Sequence, residues 1–115
     1  MQNNLDGSVK LADPAAAQSF KPVFGAGVDA YFEKDYETAL RHFKPLAKQG
    51  DAEAQNWLGV MYEHGEGVTR DYKEAARWYR KSAAQGNTWA QNNLATLEKQ
   101  LRAEGNRPPR SRQAK

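Results

Sequence analysis

Asp35 to Gly59 reads DYETALRHFKPLAKQGDAEAQNWLG, and Asp71 to Ala95 reads DYKEAARWYRKSAAQGNTWAQNNLA. The two stretches align without a gap at an offset of 36 residues, and 11 of the 25 aligned positions are identical. Among these pairs are Asp35/Asp71, Tyr36/Tyr72, Gln49/Gln85, Gly50/Gly86, Gln55/Gln91 and Asn56/Asn92. A fixed period of about 20–50 residues marks a solenoid, in which each unit buries its apolar side against the next. Such arrays mostly present a surface for holding another molecule.

Each copy divides into two helices. Tyr36, Ala39, Leu40, Phe43 and Ala47 fall at i, i+3, i+4, i+7 and i+11, one face of a helical period. Asp35 stands before them as an N-cap, and Gln49-Gly50 closes the helix with a glycine free to turn left-handed. Pro45 lies inside and removes one backbone bond, which predicts a bend near Arg41. Asp51 caps a third helix from Ala52 to about His64. On it Ala54, Leu58, Met61 and Tyr62 share one side, while Glu53, Asn56, Val60 and Glu63 face away and Trp57 lies on the border. Gly59 costs this helix about 1 kcal/mol relative to alanine, which implies close approach of a neighbour. The second copy repeats the plan, with Asp71 capping a fourth helix and Asn87 a fifth that reaches about Ala103. Upstream, a first helix is expected from about Pro22 to Glu33, since proline suits the first helical position. Leu40, Phe43, Leu58, Tyr62, Tyr72, Tyr79 and Leu94 are the expected core. The fold class is therefore all-α, with five helices.

The 115 residues suffice for one small domain. There is no cysteine, hence no thiol chemistry and no disulfide framework. No apolar run approaches the roughly 18 residues of a membrane span, and the first residues lack the basic and apolar regions of a signal peptide. The net charge of +3 is uneven: residues 102–115 hold five basic and one acidic side chain, leaving 12 basic against 13 acidic before them. Residues 1–20 are expected to be a flexible leader, 21–104 the helical array and 105–115 a basic, disordered tail.

The run from Ala54 to Leu94 strongly resembles the Sel-one-like repeat, a relative of the tetratricopeptide repeat. Ala54, Gln55, Leu58, Gly59, Tyr62, Gly65, Gly67 and Val68 match one half of its pattern. Asp71, Ala75, Trp78, Tyr79, Ala83, Ala84, Gln85 and Gly86 match the other. The likeness spans about residues 25–97. It departs at both ends: the first helix pair lacks the G-x-G-V loop, and Ala95 and Glu98 stand where the pattern has glycine and tyrosine. The resemblance implies a right-handed α-solenoid of antiparallel helix pairs, about two and a half repeats, with a concave side lined by the first helix of each pair. It also implies an adaptor role in protein complexes. Export is implied only if a signal peptide has been removed, and the cytoplasm otherwise.

The candidate binding stripe is Glu53, Asn56, Trp57, Val60, Glu63, Trp89, Asn92 and Thr96. Trp89 takes the place of Glu53 one repeat earlier, and a tryptophan off the stacking face suits an interface anchor. Its bland reading is a side chain folded over the open end of the array. Asparagine amides pair with peptide backbone in either direction, although a solvated stripe that binds nothing would look the same. Trp57 is either an anchor or the rim of the core. Arg41, Lys44, Lys48, Lys73, Arg77, Arg80 and Lys81 point outward from the second helices and read as a solubilising surface. Without aromatic platforms or a reading module, nucleic acid is not an expected partner. His42 and His64 lie on different helices with no ligand set around them, so no metal is expected. No catalytic motif and no phosphate loop is present. The first expectation is a non-enzymatic module that binds a protein or peptide on its concave face, without a cofactor. The alternatives are a small exported wall-associated hydrolase or ligand-binding domain, and an array that pairs through its ends as a homodimer.

Overall fold

The computed structural model describes residues 20–106, whose regular structure is entirely helical, with no strand among them. The helices are α1 (Phe24–Phe32), α2 (Tyr36–Lys48), α3 (Ala52–His64), α4 (Tyr72–Ala84) and α5 (Thr88–Asn106). The expectations for the leader up to residue 19 and for the tail from residue 107 lie outside the described residues.

The expected caps set the helix starts. Asp35 accepts from Thr38 N–H at 3.3 Å, Asp51 from Ala54 at 2.9 Å, and Asp71 from Lys73 and Glu74 at 3.0 and 3.1 Å. Asn87 accepts from Ala90 N–H at 2.8 Å. Each bond satisfies a backbone donor that the helix cannot pair internally, worth about 1 kcal/mol. The start of α1 differs from expectation. Pro22 is not its first residue, because Val23 is extended (φ −130°, ψ 122°) and its N–H donates to His42 Nδ1 at 3.0 Å. At the other end α5 runs to Asn106, three residues past Ala103.

Consecutive helices pack as neighbours: α1 on α2, α2 on α3, α3 on α4, and α4 on α5. Two apolar cores result. The first gathers Ala30, Ala39, Leu40, Phe43, Ala47, Ala54, Leu58 and Met61. The second gathers Ala75, Ala76, Tyr79, Ala90 and Leu97. Full burial of side chains such as Phe43 and Leu58 contributes about 1.5–3 kcal/mol each. Leu40, Phe43, Leu58 and Tyr79 are buried as expected, while Tyr62, Tyr72 and Leu94 are half-buried at the edge of the second core.

Helix α3 belongs to both cores. Ala54, Leu58 and Met61 face the first, whereas Val60 and Tyr62 pack on the second. Gly59 lies where α4 crosses, its Cα bare against the ring of buried Tyr79. The close approach expected from the sequence is this contact, and Gly27 meets Phe43 in the same way in the first pair.

Polar stitches join the pairs. Gln85 Nε2 donates to Gly50 O at 2.9 Å and to Gln55 Oε1 at 3.0 Å. Gln55 Nε2 in turn donates to Ala47 O at 3.0 Å. Buried Ser82 donates to Ala52 O at 2.6 Å. The loop after α3 reaches back over the first pair: Glu66 accepts from Tyr31 OH at 2.8 Å. Gly67, at φ +77°, seats against Tyr36, where a Cβ would come within 2.8 Å.

Candidate functional site

The first helices of the pairs, α1, α3 and α5, line one groove. Its walls are Phe24, Val28, Tyr31 and Phe32 from α1, and Glu53, Asn56, Trp57 and Val60 from α3. Asn87, Trp89 and Asn93 close it from the start of α5. The volume is about 700 Å³, inside the few-hundred to ~1,000 Å³ of ordinary ligand sites. Among the described residues the exposed large apolar side chains are Val23, Phe32 and Trp89. The last two line this groove, at 71% and 74% exposure.

Trp57 fixes the groove to the core. Its ring stacks on buried Phe43, with centroids 5.5 Å apart and planes 11° apart. It meets Tyr31 and Phe32 edge-on at 4.7 and 5.9 Å. Offset and edge contacts of this kind add about 0.5–1.5 kcal/mol beyond burial. Trp57 is therefore both rim of the core and floor of the groove, where the sequence left the two readings open. Trp89 has no such support and stands free.

The polar groups are few. Asn93 Nδ2 donates to Asn56 Oδ1 at 3.1 Å, linking α5 to α3 across the floor. Asn87 uses its carbonyl as the α5 cap. Glu53 is exposed in the first turn of α3 and is the one charged side chain of the lining. Burial, reinforced by the hydrogen bond to Glu66, pushes the Tyr31 phenol well above its ordinary value, so it stays a neutral donor.

Five of the eight expected site residues thus come together: Glu53, Asn56, Trp57, Val60 and Trp89. Three do not. Glu63 is turned toward α4, where it accepts from Tyr79 OH at 2.6 Å. Asn92 and Thr96 are exposed but outside the lining. The reason is rotation of α5: with Trp89 in the groove, the residue four positions on lies below it more closely than the residue three on. Asn93 therefore takes the place expected of Asn92. The α1 wall was not anticipated, although Phe24, Val28, Tyr31 and Phe32 are spaced as one helical face.

Elsewhere, a shallower hollow on the outer side is lined by Glu37, Leu40, Arg41, Lys44, Pro45 and Gly67 and offers no exposed aromatic. His42 accepts from Val23, and His64 Nδ1 lies 3.0 Å from Val60 O. Among the described residues no group of three or more His, Cys, Asp or Glu could hold a metal ion, and no helix is long and apolar enough to cross a membrane.

Stacked helix pairs with a groove along their first helices define a helical-repeat solenoid. The Sel1 repeat model matches residues 24–51 and 52–87. The chain belongs to the Sel1 repeat family. The two matches coincide with the α1–α2 and α3–α4 pairs. The first is eight residues shorter, half from the helix (9 residues in α1 against 13 in α3) and half from the following connector. Nothing matches significantly among curated proteins or among solved structures. Sel1 repeats are commonly protein-interaction modules and the family is generally non-enzymatic.

Proposed function

We propose that this protein is a non-enzymatic interaction module, residues 21–104, that holds a peptide segment of a partner protein in the groove of α1, α3 and α5. One observation supports this above the others. Among the described residues, two of the three exposed large apolar side chains, Phe32 and Trp89, lie in one groove whose floor is a pinned tryptophan. An exposed tryptophan costs solubility unless something covers it, and tryptophan is the residue type most enriched in binding hot spots. The lining also contains no pair of groups placed for acid–base chemistry: one carboxylate, three amides and a neutral phenol.

Selection of displayed random dodecapeptides against the full chain tests the proposal. Selected peptides should lose about five-fold or more in affinity with Trp89→Ala, the roughly 1 kcal/mol that only a minority of interface residues exceed, while helical content stays unchanged. Trp89→Ala should leave stability within about 0.5 kcal/mol, the range of surface substitutions. Trp57→Ala should cost about 2–4 kcal/mol, since half-buried Trp57 supports the core. Peptides whose binding ignores Trp89→Ala would remove the groove from the account.

A further inference from the structure

Charge divides between the two layers of helices. Helices α1 and α3 carry three acidic side chains, Asp29, Glu53 and Glu63, and no lysine or arginine. Helices α2 and α4 carry seven lysine or arginine residues against two acidic ones, Glu37 and Glu74. Helix α5 is balanced, Glu98 and Glu104 against Lys99 and Arg102. None of the cations lines the groove, where Glu53 is the one charge. A second carboxylate, Glu66, lies behind the groove's Tyr31 and accepts from its phenol.

Resting on the peptide-groove reading above, we propose that the segment held there is basic: a linear peptide that seats a lysine or arginine between Glu53 and Trp89. These two residues occupy equivalent positions in adjacent repeats, each second in its helix. Both line the groove from the first turns of their helices, which the Asn93–Asn56 hydrogen bond bridges one turn further on. A cation between them meets a carboxylate on one side and the face of an indole, the strongest aromatic partner for a cation, on the other. The outer cations lie a helix layer away, about 10 Å, which exceeds the Debye length of about 8 Å at physiological salt. Two contributions oppose: the N-termini of α3 and α5 each carry roughly half a positive charge. The carboxylates of Glu53 and of Asp51, the cap of α3, together outweigh them.

The floor supplies the reason for a linear segment. With Asn93 Nδ2 bonded to Asn56 Oδ1, the remaining Asn56 N–H and Asn93 carbonyl are a donor and an acceptor with no other bond among the described residues. An extended main chain offers the matching C=O and N–H. On α3 the lining runs from Glu53 to Val60, about 10 Å of helix, enough for roughly three extended residues.

The charge content of the selected dodecapeptides and two Glu53 variants test this. Selected peptides should carry an excess of lysine and arginine over the unselected library. Glu53→Gln should weaken them by about two- to five-fold, the range of an exposed ion pair, and Glu53→Lys by more, with the loss shrinking in high salt. Peptides that depend on Trp89 but are neutral or acidic, and insensitive to Glu53→Lys, would overturn the basic-segment inference and leave the groove reading standing. Peptides that ignore Trp89→Ala, or a selection that enriches nothing, would overturn both.

Discussion

Replacing Gly59 with alanine should destabilise the protein, although the same change in an open helix stabilises it. A Cβ at residue 59 would lie 2.5 Å from Tyr79 Cδ1 and Cε1, against an ordinary carbon contact of about 3.5–4.0 Å. The ring must therefore retreat by about 1 Å. It has no room: Tyr79 is fully buried, and its phenol is anchored to Glu63 at 2.6 Å. Overpacking of this size costs about 1–3 kcal/mol, and loosening the phenol–carboxylate bond costs about 1 kcal/mol more. Helix propensity returns about 1 kcal/mol. The net loss is about 1–3 kcal/mol, a fall in Tm of at least about 5 °C for a domain of this size. Urea and thermal unfolding followed by circular dichroism would read it. Gly25→Ala is the control, because that helical position has nothing within 4 Å. It should raise stability by up to about 1 kcal/mol. A Gly59→Ala protein as stable as wild type would refute the packing of α3 on α4 described above.

Further outcomes follow from the buried polar groups. Burial first, then the bond to Glu63, raises the Tyr79 phenol well above the ordinary tyrosine value of about 10. The unfolded chain then loses its proton before the folded one does, so stability is complete below about pH 10 and falls as pH rises beyond it, by at most ~1.4 kcal/mol per pH unit for this group. Urea midpoints at pH 9 and 11 should therefore converge in Tyr79→Phe relative to wild type, and an unchanged slope would contradict the assignment. Ser82→Ala removes a bond to Ala52 O from a fully buried site and should cost about 0.5–1.5 kcal/mol in urea unfolding. No change there would show that the stitch between the pairs contributes nothing.

Much of the fold could be read from the residues. The caps Asp35, Asp51, Asp71 and Asn87 stood at their helices' starts because an N-cap is a local interaction, visible in the few residues it spans. Gly59 was readable because its cost in a helix demands a compensating contact. The identity of Gln55 and Gln91, and of Gln49 and Gln85, was visible too, but its cause was not. Gln85 works by reaching Gly50 and Gln55, 35 and 30 residues away, and nothing in a periodic pattern names such partners. The start of α1 failed for the same reason, since it depends on His42 of the next helix. The site was half legible. Trp89, Glu53 and Asn56 were placed by their distance from the stacking face. The rotation of α5 that chooses Asn93 over Asn92, and the pull of Tyr79 on Glu63, are tertiary effects that outrank helical-wheel geometry. The wall made by α1 was hidden because its apolar face packs on the core and lines the groove at once.

The three tryptophans offer the most direct measurement. Trp57 and Trp89 line the groove, while Trp78 sits on α4 with Lys81 near its ring at 5.9 Å. Each indole N–H gives its own signal in a proton–nitrogen correlation spectrum, assigned by single replacement with phenylalanine. Titration with a selected peptide should move the Trp57 and Trp89 signals together and leave Trp78 in place. Movement of Trp78 alone, with the other two still, would put the binding surface on the outer helices and contradict the groove.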